Sequence, residues 1–569
     1  MSFYLRVEAV NLGNFVRDTN NLATIRGGSL LLLAAIDEVE RLIEPNISQK
    51  NIGELLKENL NRLDAEKKVL KGLRGEAKKI KQRELKQLRD TRKDLKKSAE
   101  PSDHNSPNTP STITKGASWG LFELDIDYAT ATKIKQGITD FFNNDPTYKH
   151  ATFVVDIYPV EEPGNYQVAR DKAQTLNRYQ QLQAPSLAIT REGGAVCAIN
   201  KITPAPANPN LYLPSEPGET KHVCASETVV KRREYGTEQQ RQGRFYSKIT
   251  GRSDNDRLNL TQDLAELSQY TYDGGSILDG KIAFIYIDGN QFGARQKACQ
   301  TPMEQRGFDT QTRAGRMAVL KSILEEIEGK ANWLNGDKLR LETLLWGGDE
   351  IIWVVPAWQG WWMLARFYHL AKIHIQLRTK DGPFEKLFHG SSIVFCKHNA
   401  PIHRIDALAR KLADNFAKKS PYKNENRIAY EVLESFDHAG TDLDGFRRKR
   451  IRGLTDNIND LLIKAEDMDA IETAINTLKG SGFPKRKIYQ LVQKYRARNE
   501  SDAQRLHKKL SGEVKGIPAT EQQKIWKAAM DALKYKFNNS NAYWIHLMEL
   551  WDYVGLKNVE TNQPNGEDS

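Results

Sequence analysis

Cysteine is scarce in this chain. Four in 569 residues, none in Cys-x-x-Cys spacing, exclude a disulfide scaffold and point to a reducing compartment. Long apolar runs are missing too: none reaches the roughly 18–20 residues that span a bilayer, so no membrane association is expected. The opening stretch, MSFYLRVEAVNLG, lacks a basic region followed by an apolar one, and no secretory signal is expected. These absences together predict a cytoplasmic protein. Charged residues make up 28% and hydrophobic ones 39%, the balance of a polar, soluble chain, and the length implies several domains. The net charge of +11 favours a polyanionic partner such as RNA, although many basic proteins bind none.

What is present is an alternation of strand-like and helix-like segments. Residues 3–10 read as a strand, and 26–44 as a helix introduced by a Gly27-Gly28 turn. Residues 50–98, dominated by Lys, Arg, Glu and Leu, read as a long solvated helix or helical hairpin. A Pro/Ser/Thr/Asn-rich linker follows at 98–118. Strands at 119–127, 150–160 and 185–192 alternate with helices at 130–143 and 166–182, which makes residues 1–192 an α+β unit with an insertion at about 48–118. Residues 193–275 are a less regular connector carrying the basic run 231–252. From 276 to 440 the order is strand (281–289), helix (313–334), a hairpin around 341–356, helix (358–377), strand (389–401), helix (402–419) and strand (426–436). That order predicts a second, ferredoxin-like α+β unit. Residues 441–569 read as all-helical and include the basic run FRRKRIRG at 446–453.

Three carboxylates stand out in the second unit. Asp288 ends a strand, and Asp349 and Glu350 follow Gly347 and Gly348 at the tip of the hairpin LETLLWGGDEIIWVVP. In a ferredoxin-like unit the first strand and the central hairpin are neighbours, so the three are expected at one sheet edge. Clustered hard oxygens suit two Mg²⁺ or Mn²⁺ ions bridging a nucleoside triphosphate. Gly347 and Gly348 permit a tight turn and leave room for a base or ribose. The loop of Gly289, Asn290, Phe292 and Gly293 offers backbone N–H groups to phosphate oxygens. Each signal alone is ordinary turn chemistry. Their joint order on these elements is what points to a site.

At these residues the chain resembles two related families. One is the GGDEF diguanylate cyclases. The closer one, over most of the chain, is the large palm-containing polymerase/cyclase subunit of type III CRISPR effector complexes. FVRDTNNLATIRGGSLLL (15–32) is similar to the entry to that family's first palm, KIAFIYIDGNQFG (281–293) to the entry to its second, and LLWGGDEIIWVVP (344–356) to its acidic hairpin. The strand and helix GSSIVFCKHNAPIHRIDALARKLADNFAKK (390–419) fit the same pattern. The resemblance implies two palm domains and a helical C-terminal domain. It further implies a nucleotidyltransferase of antiviral defence that joins triphosphates, ATP favoured, into a cyclic or short oligonucleotide signal and releases pyrophosphate. It assigns metal binding to Asp288 and Asp349, makes Glu350 the second acid of the hairpin, and places Lys418 on phosphate. Lys418 and Lys419 equally fit a solvated helix C-terminus. Other effector-complex proteins and RNA are the implied partners.

The sequence departs from the family in three places. No N-terminal histidine–aspartate nuclease domain is found, so DNA cleavage by that route is not expected. The connector keeps Cys197 and Cys224 but lacks the second cysteine of each expected pair, and with His222 falls short of four ligands, so zinc is not expected there. The hairpin carries Asp-Glu where the family has Asp-Asp. Two other readings stand beside the leading one: a non-catalytic palm protein serving as a structural subunit of an RNA-guided complex, and a diguanylate cyclase, which the first palm and helical C-terminus disfavour.

Overall fold

The computed structural model describes residues 2–19, 21–43, 112–160, 165–183, 194–214, 220–237, 244–253, 258–271, 276–378, 385–434, 442–537 and 540–555. The charged segment 50–98, most of the linker and the strand expected at 185–192 lie outside these residues. The chain divides into two compact units, one of Met1–Asn11, Leu32–Ala188 and Cys299–Arg306, the other of Leu12–Leu31, Ile189–Ala298 and Gly307–Ser569.

The first unit is a four-stranded antiparallel sheet of β1 (Ser2–Val10), β2 (Thr112–Lys115), β3 (Trp119–Asp125) and β4 (Thr152–Pro159), in the spatial order β2-β3-β1-β4. Between β1 and β2 lies helix α1 (22–43), between β3 and β4 lies α2 (Tyr128–Asn144), and α3 (Tyr166–Gln181) follows β4. This is the β-α-β-β-α-β order of a ferredoxin-like unit. The strand β2 occupies part of the segment expected to be linker; its Thr112 Oγ1 donates to Glu40, and Lys115 pairs with Asp37, 3.0 Å away. β1 ends at Val10 and Asn11 without a carboxylate.

In the second unit the same order recurs. The strands β5 (Lys281–Gly289), β6 (Glu342–Gly347), β7 (Glu350–Pro356) and β8 (His389–Lys397) lie as β6-β7-β5-β8, with α4 (Pro302–Ile327) and α5 (Ala357–His374) as the crossovers. Helix α6 (Ile402–Leu412) then leads to β9 (Arg427–Val432), parallel to β8. β5 is buried along its whole length, as a central strand covered on both faces must be. One covering layer packs Ile282, Phe284, Tyr286, Ile352 and Val354 against Ile405, Ala409 and Leu412 of α6. The C-terminal region is not wholly helical: Ile463–Lys464 adds a short antiparallel strand beside β9. Among the described residues, no helix is long and apolar enough to cross a membrane.

Gly27 and Gly28 lie inside α1 rather than in a turn before it. A Cβ on Gly27 would collide with the Arg232 carbonyl, and one on Gly236 with the Ala23 carbonyl. The two glycines therefore set a close crossing between α1 and the connector helix Glu227–Gly236. Arg232 in that helix donates two bonds of 2.8 Å to the Asp18 carboxylate. Gly27→Ala should cost about 1–3 kcal/mol by overpacking, read from the denaturation midpoint; an unchanged midpoint would show that the crossing has slack.

Candidate active site

The β6–β7 hairpin turns through two residues, Gly348 and Asp349, and Gly348 takes φ +58°. A left-handed value at the first central residue matches the twist of a two-residue hairpin, and glycine carries no Cβ penalty there. The turn is pinned to the neighbouring strand by Gly289 N–H, which donates to the Asp349 carbonyl at 3.2 Å. Glu350 stands directly opposite Asp288 across β7 and β5, and Gly390 stands opposite Asp288 on the other side, on β8. Asp288 and Glu350 thus face each other across neighbouring strands at one end of the sheet, with Asp349 in the adjoining turn.

They are not treated alike. Asp288 is only 7% exposed. Burial first, and then the Asp349 charge, push its carboxyl up to about 7 against the pull of Lys418. Asp349 is also raised, chiefly by burial, while its own backbone N–H and Lys418 pull the other way. Lys418 forms an ion pair with Asp288. Glu350 instead turns to Arg410, whose Nη1 donates to its Oε1 at 2.7 Å. Tyr286 Oη lies 2.8 Å from Glu350 Oε1 and 3.2 Å from Asp288 Oδ2, and its single proton serves one of them at a time. Burial, reinforced by Asp288 and Glu350, keeps that phenol protonated. Among the described residues, no group of three or more His, Cys, Asp or Glu side chains is arranged to hold a metal ion, so the expected trio of Asp288, Asp349 and Glu350 is not assembled as one ligand set. Asp288 and Asp349 remain a pair of hard oxygen donors whose mutual repulsion a divalent ion would relieve, and in that respect the site fits Mg²⁺ or Mn²⁺.

Lys418 reaches Asp288 through a local irregularity. Helix α6 ends at Leu412, short of the expected 419, and Ala413–Ala417 form a wider turn in which Lys418 N–H bonds to the Ala413 carbonyl at 2.8 Å. Such π-type turns redirect the residues that follow them. Lys418 then crosses β8 at Gly390, where a Cβ would collide with the lysine side chain.

The glycine-containing loop is more committed than expected. Gly289 N–H is used by Asp349, and Asn290 N–H donates to the Phe388 carbonyl at 2.8 Å, so neither of these amides is available to phosphate. Asn290 Nδ2 bonds to the Glu425 carbonyl at 3.1 Å, while its Oδ1 is buried without a hydrogen-bond partner. Gly289 leaves space for Phe292, whose ring sits 5.7 Å from Phe308 and 5.6 Å from His389. Phe292 is therefore a core residue. Gly293 is exposed with open space where a side chain would be, and Gly347 is buried. Behind the site, burial and then the charges of Arg316 and Lys418 hold His389 down at about 3, in its neutral form.

Sequence reasoning missed Tyr286, Arg410, Asp406 and Gly390. Tyr286 carried a signal: two residues before Asp288 on a strand, it must share that residue's face. The arginine on α6 carried none, because its partner lies 60 positions away.

In the connector, Cys197 is buried with Ala205, Ala225 and Val229. Burial opposes its ionisation, but N–H groups of Asn200, Ser226 and Ile199 outweigh that and lower its pKa. The Cys224 thiol faces the Ala207 carbonyl at 3.4 Å, and the His222 ring packs on Tyr212 at 4.1 Å.

No protein-family model matches the chain, and no curated protein does. Among solved structures it matches a chain of a Csm1-Csm4 cassette in complex with cA4, at 10% identity and a TM-score of 0.42, covering 96% of this chain and 70% of that one. A Csm1-Csm4 cassette in complex with one ATP gives 11% identity, a TM-score of 0.44, and coverage of 93% and 70%. A Csm1-Csm4 subcomplex of the type III-A CRISPR-Csm interference complex gives 11% identity, a TM-score of 0.38, and coverage of 75% and 54%.

Proposed function

We propose that the protein is a palm-type, metal-dependent nucleotidyltransferase of antiviral defence. It joins nucleoside triphosphates, ATP favoured, into a cyclic or short oligonucleotide with release of pyrophosphate. The observation that carries this reading is the Asp288–Asp349 pair at the sheet edge, buried enough to raise both carboxyls and fixed by the Gly289–Asp349 backbone bond. A pair of structural carboxylates gains nothing from such repulsion, whereas a cation site does. Asp288 and Asp349 would hold Mg²⁺ or Mn²⁺, which supplies polarisation of an attacking hydroxyl and neutralisation of the leaving pyrophosphate. Lys418, already at Asp288, is within reach of a phosphate entering there. Tyr286 orients the carboxylates beside it, and the bare Gly348 leaves the tip open to a nucleoside.

A second reading has its own observation. Lys418 and Arg410 neutralise Asp288 and Glu350 within the fold, as a purely structural palm subunit would require. Association with RNA has a narrower footing than the basic runs implied, because Arg232 is spent on Asp18 and Arg447 and Arg450 on Glu431. Arg448, Lys449 and Arg452 remain exposed for phosphate contacts, so any RNA binding should weaken steeply with salt. Incubating the protein with all four triphosphates and Mg²⁺ or Mn²⁺, followed by mass spectrometry, separates these readings. An oligonucleotide product with pyrophosphate is expected. Absence of product both alone and with RNA would favour the structural subunit, and a purely guanylate product would favour a diguanylate cyclase.

A further inference from the structure

Glu350 is the one carboxylate of the hairpin tip that the fold already claims. Arg410 holds it at 2.7 Å, lies with its guanidinium 4.6 Å from the Tyr286 ring centroid, and is itself anchored one helical turn back by Asp406 at 3.0 Å. Asp406 is 5% exposed and also pairs with Arg17, 2.8 Å away, from the segment 12–31. An arginine gripped by a buried carboxylate on its own helix has little freedom to leave. A carboxylate bound to it must break that pair before it can ligate a cation. We propose that Arg410 is a positioning residue, a latch fixed by Asp406 and Arg17, that withholds Glu350 from divalent cations bound at Asp288 and Asp349.

This rests on the metal-binding reading given above. The latch explains why only Asp349 of the hairpin's two acids is left to pair with Asp288. It makes the number of carboxylates facing an ion depend on the Asp406–Arg410 contact within α6, which the Arg17–Asp406 pair ties to the segment 12–31. Glu350 and Arg410 are both partly exposed, with side chains 35% and 20% accessible, so the exchange needs no opening of the core.

The test is Mn²⁺ titration of the full-length protein, with free ion read by electron paramagnetic resonance. The variants are Arg410→Gln, Glu350→Gln and the two combined. Arg410→Gln should tighten Mn²⁺ binding by roughly two- to fivefold, the worth of a partly exposed ion pair. The gain should vanish when Glu350→Gln is already present, because the latch acts only through that carboxylate. Asp406→Asn, which loosens the anchor, should shift binding in the same direction by less, and serves if Arg410→Gln does not fold. An equal gain in the Glu350→Gln background would reduce Arg410 to a nearby positive charge, and no gain at all would leave it structural. Either result overturns the latch while leaving the metal site standing. Failure of the parent and of every variant to bind Mn²⁺ would overturn both.

Discussion

Asp349→Asn and Asp288→Asn should each leave the protein folded while reducing oligonucleotide synthesis to the limit of detection. Each substitution keeps size and shape and removes one ligand charge. In the parent, metal–triphosphate at a hundred times its dissociation constant should stabilise the fold by about 2.7 kcal/mol, and both variants should lose that gain. In metal-free buffer the sign reverses. Asp288 has its folded pKa raised to about 7 from an ordinary 3.8. The folded state therefore holds a proton that the unfolded state releases, and stability falls as pH rises between those values. Above pH 7 the ionised carboxylate should cost on the order of a few kcal/mol. Asp288→Asn removes that group's part of the slope and leaves the part that comes from Asp349, so the variant should match the parent near pH 4 and exceed it near pH 8. Thermal denaturation at the two pH values in chelator checks this, and a parallel fall of both proteins would show that Asp288 carries no such strain.

The second large effect is structural. Glu342→Gln should destabilise the second unit by about 3–5 kcal/mol, because it strands a buried guanidinium. Arg26 Nε donates to Glu342 at 2.8 Å and its Nη2 pairs with the second carboxylate oxygen, with both side chains only 2% exposed. This pair fastens the start of α1 to β6, the strand that carries the acidic turn. Replacing both partners at once, Arg26→Met with Glu342→Leu, should recover most of the loss, since the apolar pair has no charge to desolvate. Denaturation followed through the buried Trp353 and Trp361 reports on this unit. Equal losses in the single and double variants would mean that packing, rather than charge, is what the pair supplies.

Much of this architecture was legible because strands and helices print their periodicity locally. β5, the hairpin and α6 each showed a local pattern, and Asp288, Asp349 and Glu350 were singled out by their joint order on a strand end and a hairpin tip. What escaped depends on pairing at a distance or on backbone irregularity. The turn at Ala413–Ala417 leaves no composition signal, yet it decides where Lys418 points. Gly27 and Gly28 suggested a turn because glycine serves both turns and close helix crossings, and only the presence of Arg232 distinguishes the two. The basic runs suggested a nucleic-acid surface, whereas Arg232 proved to be the partner of Asp18, 214 positions away, and Arg447 and Arg450 of the buried Glu431 on β9. Ile463–Lys464 was too short to announce itself as a strand before β9 was there to receive it.

The measurement closest to the central claim is anomalous scattering at the manganese edge from crystals grown with Mn²⁺ and a non-hydrolysable nucleoside triphosphate. The expected result is an anomalous peak bridging the Asp288 and Asp349 carboxylates and the triphosphate oxygens, with Lys418 shifted from Asp288 toward phosphate. A nucleotide-bound crystal with no manganese at these two residues, or with the ion held elsewhere, would contradict it.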